Sequence, residues 1–207
     1  MYIVTGHGQS GTKWLAKVLG CEHEPLKLDA MWAKRTEGDP TIAKEWAEWR
    51  VPKMQEPWGE VNSYLRLCAT ELMFLLPDMT VAGLVRDGRF VVRSMAARGV
   101  HERLHGPWSD FEKLCRYWAQ SHYWLADVKE WFRLEDLNED WNEVERLGEL
   151  LGVDVPREHW EGLRNVRVGK NVETDTVPQW DRKMCRAFAR SAGTVQTHFG
   201  YPLPRPA

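Results

Sequence analysis

The 207-residue chain is predicted to be an α/β protein, a three-layer sandwich with a central parallel sheet flanked by helices. Three observations predict it. Short runs of strand length, YIVT at 2–5, TVAGLV at 80–85 and WFRL at 131–134, alternate with longer stretches at helical spacing. The first run passes directly into glycines and then into a helical pattern, the order of a βαβ unit. No linker composition, internal repeat or low-complexity segment interrupts the chain, so a single domain over 1–207 is expected.

Each element follows from its residues. Tyr2–Thr5 reads as a buried strand, and Thr12–Leu19 places Leu15, Val18 and Leu19 on one helical face before Gly20 ends it. A strand is expected near Pro25–Leu28 and a Trp/Glu-rich helix over Ile42–Trp49. Val61–Leu76 carries apolar residues at helical spacing and stops at Pro77. Thr80–Val85 is a second buried strand, and RDGRFVVRSMAARG after it reads as a turn and a helix. Asp110–Lys129 is a long amphipathic helix, Trp131–Leu134 a third strand, and Leu137–Leu151 a helix closed by Gly152. YPLPRPA forms a proline-rich tail.

Composition excludes several function classes. A formal net charge of −2 gives no global attraction to nucleic acid or to an anionic membrane, although a local basic pocket is compatible with it. Cys21, Cys68, Cys115 and Cys185 stand singly, which argues against a disulfide framework and a structural zinc site and suits a reducing cytoplasm. No run reaches the roughly 18 apolar residues of a membrane span, and a leader pattern is lacking, so a cytoplasmic location is expected. The twelve tryptophans serve the core first, with a groove for an organic acceptor as the functional reading.

The stretch TGHGQSGTKW, residues 5–14, carries the chemistry. Gly6, Gly8 and Gly11 let backbone N–H groups approach an anion, the helix start adds its positive dipole end, and Ser10 and Thr12 add hydroxyls. The competing reading is a plain tight turn. Lys13 follows Thr12 instead of preceding it, so the usual Gly-Lys-Ser/Thr ending of a nucleotide loop is absent. In LVRDGRFVVRSM, Arg86 ends a strand and Ser94 lies eight residues on, in the following helix. A guanidinium and a hydroxyl there suit a second phosphate, whereas Arg86 alone reads as an ion pair with Asp87.

With both segments in view, the chain resembles the sulfotransferases that use 3′-phosphoadenosine-5′-phosphosulfate (PAPS). QSGTKW is similar to their 5′-phosphosulfate loop, and Arg86 with Ser94 matches their 3′-phosphate motif. RLEDLNEDWNEVERLGELLGV at 133–153, NVRVGKNVE and HFGYP resemble later family segments in the same order. The resemblance implies a P-loop-like α/β fold and transfer of a sulfuryl group to a small-molecule or glycan hydroxyl or amine. It also implies 3′,5′-adenosine diphosphate (PAP) as product and no metal. By the same resemblance Gly8, Gln9, Ser10, Gly11, Thr12 and Lys13 line the 5′-phosphate site and Trp14 stacks near adenine. Arg86 and Ser94 hold the 3′-phosphate with Lys170 or, second, Arg167.

Two positions depart from the family pattern. Gln9 stands where a lysine or arginine neutralises the leaving oxygen, a charge that Lys13 or His7 would have to supply. Leu134 replaces the tyrosine that touches adenine. For the acceptor's proton, EPWGEVNSYL offers Glu60 and Glu56, and Glu60 is the expected base, its competing reading a dipole partner at a helix start.

HERLH at 101–105 matches the zinc-hydrolase motif, with Glu130 as a conceivable third ligand, but Gly99 and Gly106-Pro107 crowd it. A border of the acceptor cleft or a plain surface is the other reading of His101 and His105. The alternatives are a P-loop kinase of a small metabolite, a non-catalytic PAPS or PAP binder, and this hydrolase.

Overall fold

A computed structural model describes residues 1–54, 58–164, 166 and 178–206. In chain order the elements are β1 (Tyr2–Gly6), α1 (Thr12–Val18), β2 (Glu22–His23), α2 (Asp29–Gly38), α3 (Ala43–Arg50) and β3 (Gly59–Val61). There follow α4 (Ala69–Leu75), β4 (Thr80–Val85), α5 (Gly88–Ala97), α6 (Asp110–Tyr123), β5 (Glu130–Arg133), α7 (Leu134–Glu139), α8 (Trp141–Leu151), α9 (Arg157–Leu163) and α10 (Arg182–His198). Short 3-10 turns occur at Pro40–Ile42, Val51–Lys53, Tyr64–Leu67 and Val100–Arg103. The described chain falls into two compact units, Met1–Val85 with Trp124–Gly169, and Arg86–Tyr123 with Lys170–Ala207.

The first unit holds the whole sheet, in the order β2-β3-β1-β4-β5 with every neighbouring pair parallel. This is the predicted α/β class. Val4 lies opposite Val61 on one side and Ala82 on the other, so β1 is central. Alternation along β1 sends Tyr2 and Val4 into one core and Ile3 into another. The first core packs Leu15 and Val18 of α1, Val144 and Leu147 of α8 and Trp160 of α9 on the sheet. The opposite one gathers Trp46, Leu65 and Leu72. Helices therefore cover both faces, as a parallel sheet requires. After β1 the chain crosses to β2 at one edge and returns through β3 and then β4 on the other side of β1. Loops at the carboxyl end of β1 thus stand at the point where strand order reverses, where open α/β sheets bind ligands.

The second unit packs α5, α6 and α10 around Val92, Met95, Trp118 and Phe188. Gly88 meets the Trp118 ring so closely that an added Cβ would lie 2.6 Å from it. Gln196 of α10 is fully buried, accepts the Gly88 N–H at 3.0 Å and donates to Asp87 at 2.9 Å and to the Pro202 carbonyl at 3.1 Å.

Several boundaries differ from the sequence reading. The strand expected near Pro25–Leu28 lies instead at Glu22–His23, because Pro25 has no N–H for a ladder and Leu26–Asp29 turns into α2. Val61 belongs to β3 and not to a helix. Parallel pairing of Gly59–Val61 with β1 overrides the helical spacing that follows. The helix from Asp110 ends at Tyr123, not Lys129. The one expected over Leu137–Leu151 is broken at Asp140, whose carboxylate caps α8 by accepting the Asn142 N–H. Helices α9 and α10 were not read from the sequence. No helix among the described residues is long and apolar enough to cross a membrane.

Candidate functional site

The loop from β1 to α1 is built by its glycines. Gly11 has φ 84°, and a Cβ there would meet the Leu134 side chain at 2.6 Å, so both backbone and space demand glycine. Leu134 therefore buttresses the loop. Gly6 is held as tightly, since a Cβ would lie 2.1 Å from the Leu84 carbonyl oxygen.

Inside the loop, Ser10 N–H donates to the His7 carbonyl at 2.9 Å and Gln9 N–H to His7 Nδ1 at 3.3 Å. His7 is buried and its ring braces the turn. Ser10 is fully buried, and its Oγ has no hydrogen-bond partner among the described residues. A buried hydroxyl of this kind is satisfied by a phosphate oxygen, so the donor set fits the 5′-phosphosulfate that the resemblance implies. Gly8 is exposed and Gln9 half-exposed, and Lys13 presents its ammonium to solvent from the first turn of α1. Trp14 lies in the core, its indole N–H donating to the Leu163 carbonyl at 3.0 Å, which ties α1 to α9.

Two further strand ends meet this loop. At the end of β2, His23 Nε2 sits 3.0 Å from Thr12 Oγ1 and 3.7 Å from Glu24 Oε1. Burial lowers the His23 pKa and nearby Lys13 lowers it further, against the opposing pull of Glu24. Glu24 has φ 50°, the one positive φ at a non-glycine among the described residues. At the end of β3, Ser63 Oγ donates to Glu24 Oε1 at 2.5 Å and lies against Gly8. Sequence reasoning missed His23 and Glu24. Their only signal was an acidic and an imidazole side chain in EHEP, at a strand end placed three residues too late.

Glu60, the expected base, is on β3 and fully buried. Arg50 Nη2 donates to its Oε1 at 2.5 Å, Trp58 Nε1 to the same oxygen at 3.1 Å, and Asn62 Nδ2 to Oε2 at 3.0 Å. Asp29 shares the cluster, 3.3 Å from Arg50 Nε and 2.8 Å from Asn62 Nδ2. Burial raises the pKa of both carboxyls, since one guanidinium cannot neutralise two carboxylates away from water.

In the second unit, Asp87 caps α5. Its carboxylate accepts the Arg89 N–H at 2.9 Å and pairs with the Arg89 guanidinium at 2.5 Å. The Arg86 guanidinium lies over the Phe90 ring at 5.4 Å, and Ser94 is buried one turn beyond Phe90. Arg167, Lys170 and Glu56 lie outside the described residues. HERLH begins in the 3-10 turn Val100–Arg103 and leaves it at Leu104, which is extended, so His105 lies beyond the turn. His101 is 4.0 Å from Asp110.

No protein-family model and no curated protein matches the chain. Solved structures do. The sulfotransferase domain from the curacin biosynthetic pathway superposes with a TM-score of 0.55 at 13% identity, over 99% of this chain and 98% of that one. The sulfotransferase domain of the Synechococcus PCC 7002 olefin synthase gives 0.57 at 15%, covering 99% and 95%. A sulfotransferase from Alicyclobacillus acidocaldarius gives 0.54 at 14%, covering 98% and 96%. The chain therefore has the fold of these sulfotransferases from end to end.

Proposed function

We propose that the protein is a sulfotransferase that takes the sulfuryl group from PAPS and passes it to a hydroxyl or amine of a small-molecule or glycan acceptor. The observation that carries this reading is the glycine loop at the carboxyl end of the central strand, with the buried Ser10 hydroxyl lacking a partner among the described residues. When bound, PAPS supplies the activated sulfuryl group and leaves as PAP. Ser10, Thr12 and the backbone at Gly11 take the 5′-phosphate oxygens. Lys13 supplies the positive charge that Gln9 lacks as the leaving oxygen gains charge. Arg86 and Ser94 take the 3′-phosphate, and Trp14 anchors the helix that carries the loop. The four cysteines are all free and three are buried, which agrees with a cytoplasmic setting.

For the acceptor's proton, the geometry favours Glu24 over Glu60. Glu60 has both oxygens engaged by Arg50, Trp58 and Asn62, whereas Glu24 is partly exposed beside His23 and Ser63 and held in an unusual backbone conformation. Glu24→Gln is expected to lower turnover about 100- to 10,000-fold while leaving PAP binding intact. Glu60→Gln is expected to act first on stability. Equal turnover in Glu24→Gln and wild type would remove Glu24 from this role.

Incubation with sulfur-labelled PAPS and a panel of phenols, sugars and amines tests the activity. Label transfer to an acceptor is expected. PAP binding without transfer to any acceptor class favours the non-catalytic binder, the reading that Gln9 supports. Stabilisation by ATP with Mg²⁺ and not by PAP favours a kinase.

A further inference from the structure

Arg93 on α5 is a cation with donors left over. Its side chain is partly exposed, but Nε and Nη2 are buried and have no hydrogen-bond partner among the described residues. Unmade bonds of a buried charged group are costly, so a partner is expected to be part of its working state. Residues 90, 93, 94 and 97 fall on one helical face. The Arg93 guanidinium lies 5.8 Å from the centre of the Phe90 ring, and Arg86 approaches the same ring at 5.4 Å. Two guanidiniums thus gather about one phenyl ring, and the buried Ser94 follows one turn along the same helix.

Four of the unit's described acids, Asp87, Asp110, Glu112 and Asp181, are engaged with other partners. Asp87 pairs with Arg89 and closes the start of α5, so the helix terminus is not what an anion would meet. Asp110 binds Lys113, Glu112 binds Arg190, and Asp181 caps α10 through the Met184 N–H. A dianion with several acceptor oxygens satisfies two forked donors, while a hydroxyl, with one uncharged oxygen, cannot pair with either fork through two oxygens.

We infer that Arg93 is a second guanidinium of the Arg86–Ser94 cradle, and that it makes this cradle select a phosphate monoester over a free hydroxyl. In the nucleotide reading proposed above, on which this application rests, Arg93 distinguishes the 3′-phosphorylated nucleotide from its 3′-hydroxyl counterpart.

The test compares the full-length wild type with Arg93→Met and Arg93→Lys by calorimetry, using PAP, 5′-AMP and inorganic phosphate as probes. Arg93→Met is expected to bind PAP about 10- to 100-fold more weakly, from the loss of charged hydrogen bonds, with 5′-AMP unchanged. Arg93→Lys should restore part of the loss. Without ligand, Arg93→Met should melt no lower than wild type, because it removes two buried donors that have no partner among the described residues; a purely structural role would lower it. If Arg93→Met matches wild type for PAP and for phosphate, the inference fails. If wild type binds phosphate but not PAP, and Arg93→Met loses phosphate, the cradle stands and the nucleotide reading falls. If wild type binds neither, both fall.

Discussion

At the scale of single residues, the Asp29–Arg50–Glu60 cluster sets two carboxylates on one cation in a fully buried place. Breaking it is expected to be severe. Arg50→Met leaves two uncompensated acids and should cost about 3–5 kcal/mol, read from the urea midpoint. The cluster also links stability to pH. Both carboxyls have pKa values raised in the fold by burial, so between the ordinary carboxylate range and the raised values the native state binds more protons than the unfolded chain. Their contribution is complete at low pH and is lost as pH rises through the folded values. Glu60→Gln should therefore gain on wild type in melting temperature as pH increases from mildly acid to alkaline. A constant difference across that range would contradict the assignment. Asn62 connects this cluster to the site, since its backbone carbonyl accepts Thr5 Oγ1 at 2.8 Å and Ser63 follows it toward Glu24.

Elements are placed by a few polar ties as much as by apolar faces. In the second unit, α10 reaches the start of α5 through one side chain, the fully buried Gln196. Gln196→Ala would leave the Gly88 N–H and one acceptor of Asp87 without this partner. A loss of about 1–3 kcal/mol is expected, with weaker protection from hydrogen exchange in the first turn of α5. In the first unit α1 depends on Gly11. Gly11→Ala must adopt a left-handed backbone, a cost of about 1–2 kcal/mol, and must also displace Leu134. The loop should lose nucleotide affinity in that variant even where the helix persists.

For the whole molecule, the proposed nucleotide acts by mass action. At a free PAP concentration of 100 times its Kd, folding should gain about 2.7 kcal/mol over the unliganded protein. 5′-AMP at the same concentration should give less, since it lacks the group that Arg86 and Ser94 are proposed to hold. An equal gain from both nucleotides would count against a cradle for the 3′-phosphate. With a net charge of −2 the chain offers no long-range attraction to such an anion, so recognition must come from local donors.

The α/β class, the first and second buried strands and the glycine loop were legible in the sequence, because each rests on local properties: apolar runs, glycine's conformational range and hydroxyls beside it. Arg86 and Ser94 were legible as a spacing. The sequence could not show that Glu60 is locked by Arg50 and Trp58, ten and two residues away, or that Trp14 turns into the core. Nor could it show β3, whose three residues become a strand only by pairing with β1. The same holds for Glu24, brought to the loop by a two-residue strand and a hydrogen bond from Ser63, thirty-nine positions along the chain. Local chemistry writes itself into neighbouring residues, whereas the partner of a buried charge is decided by which distant segments the sheet and its packed helices bring together.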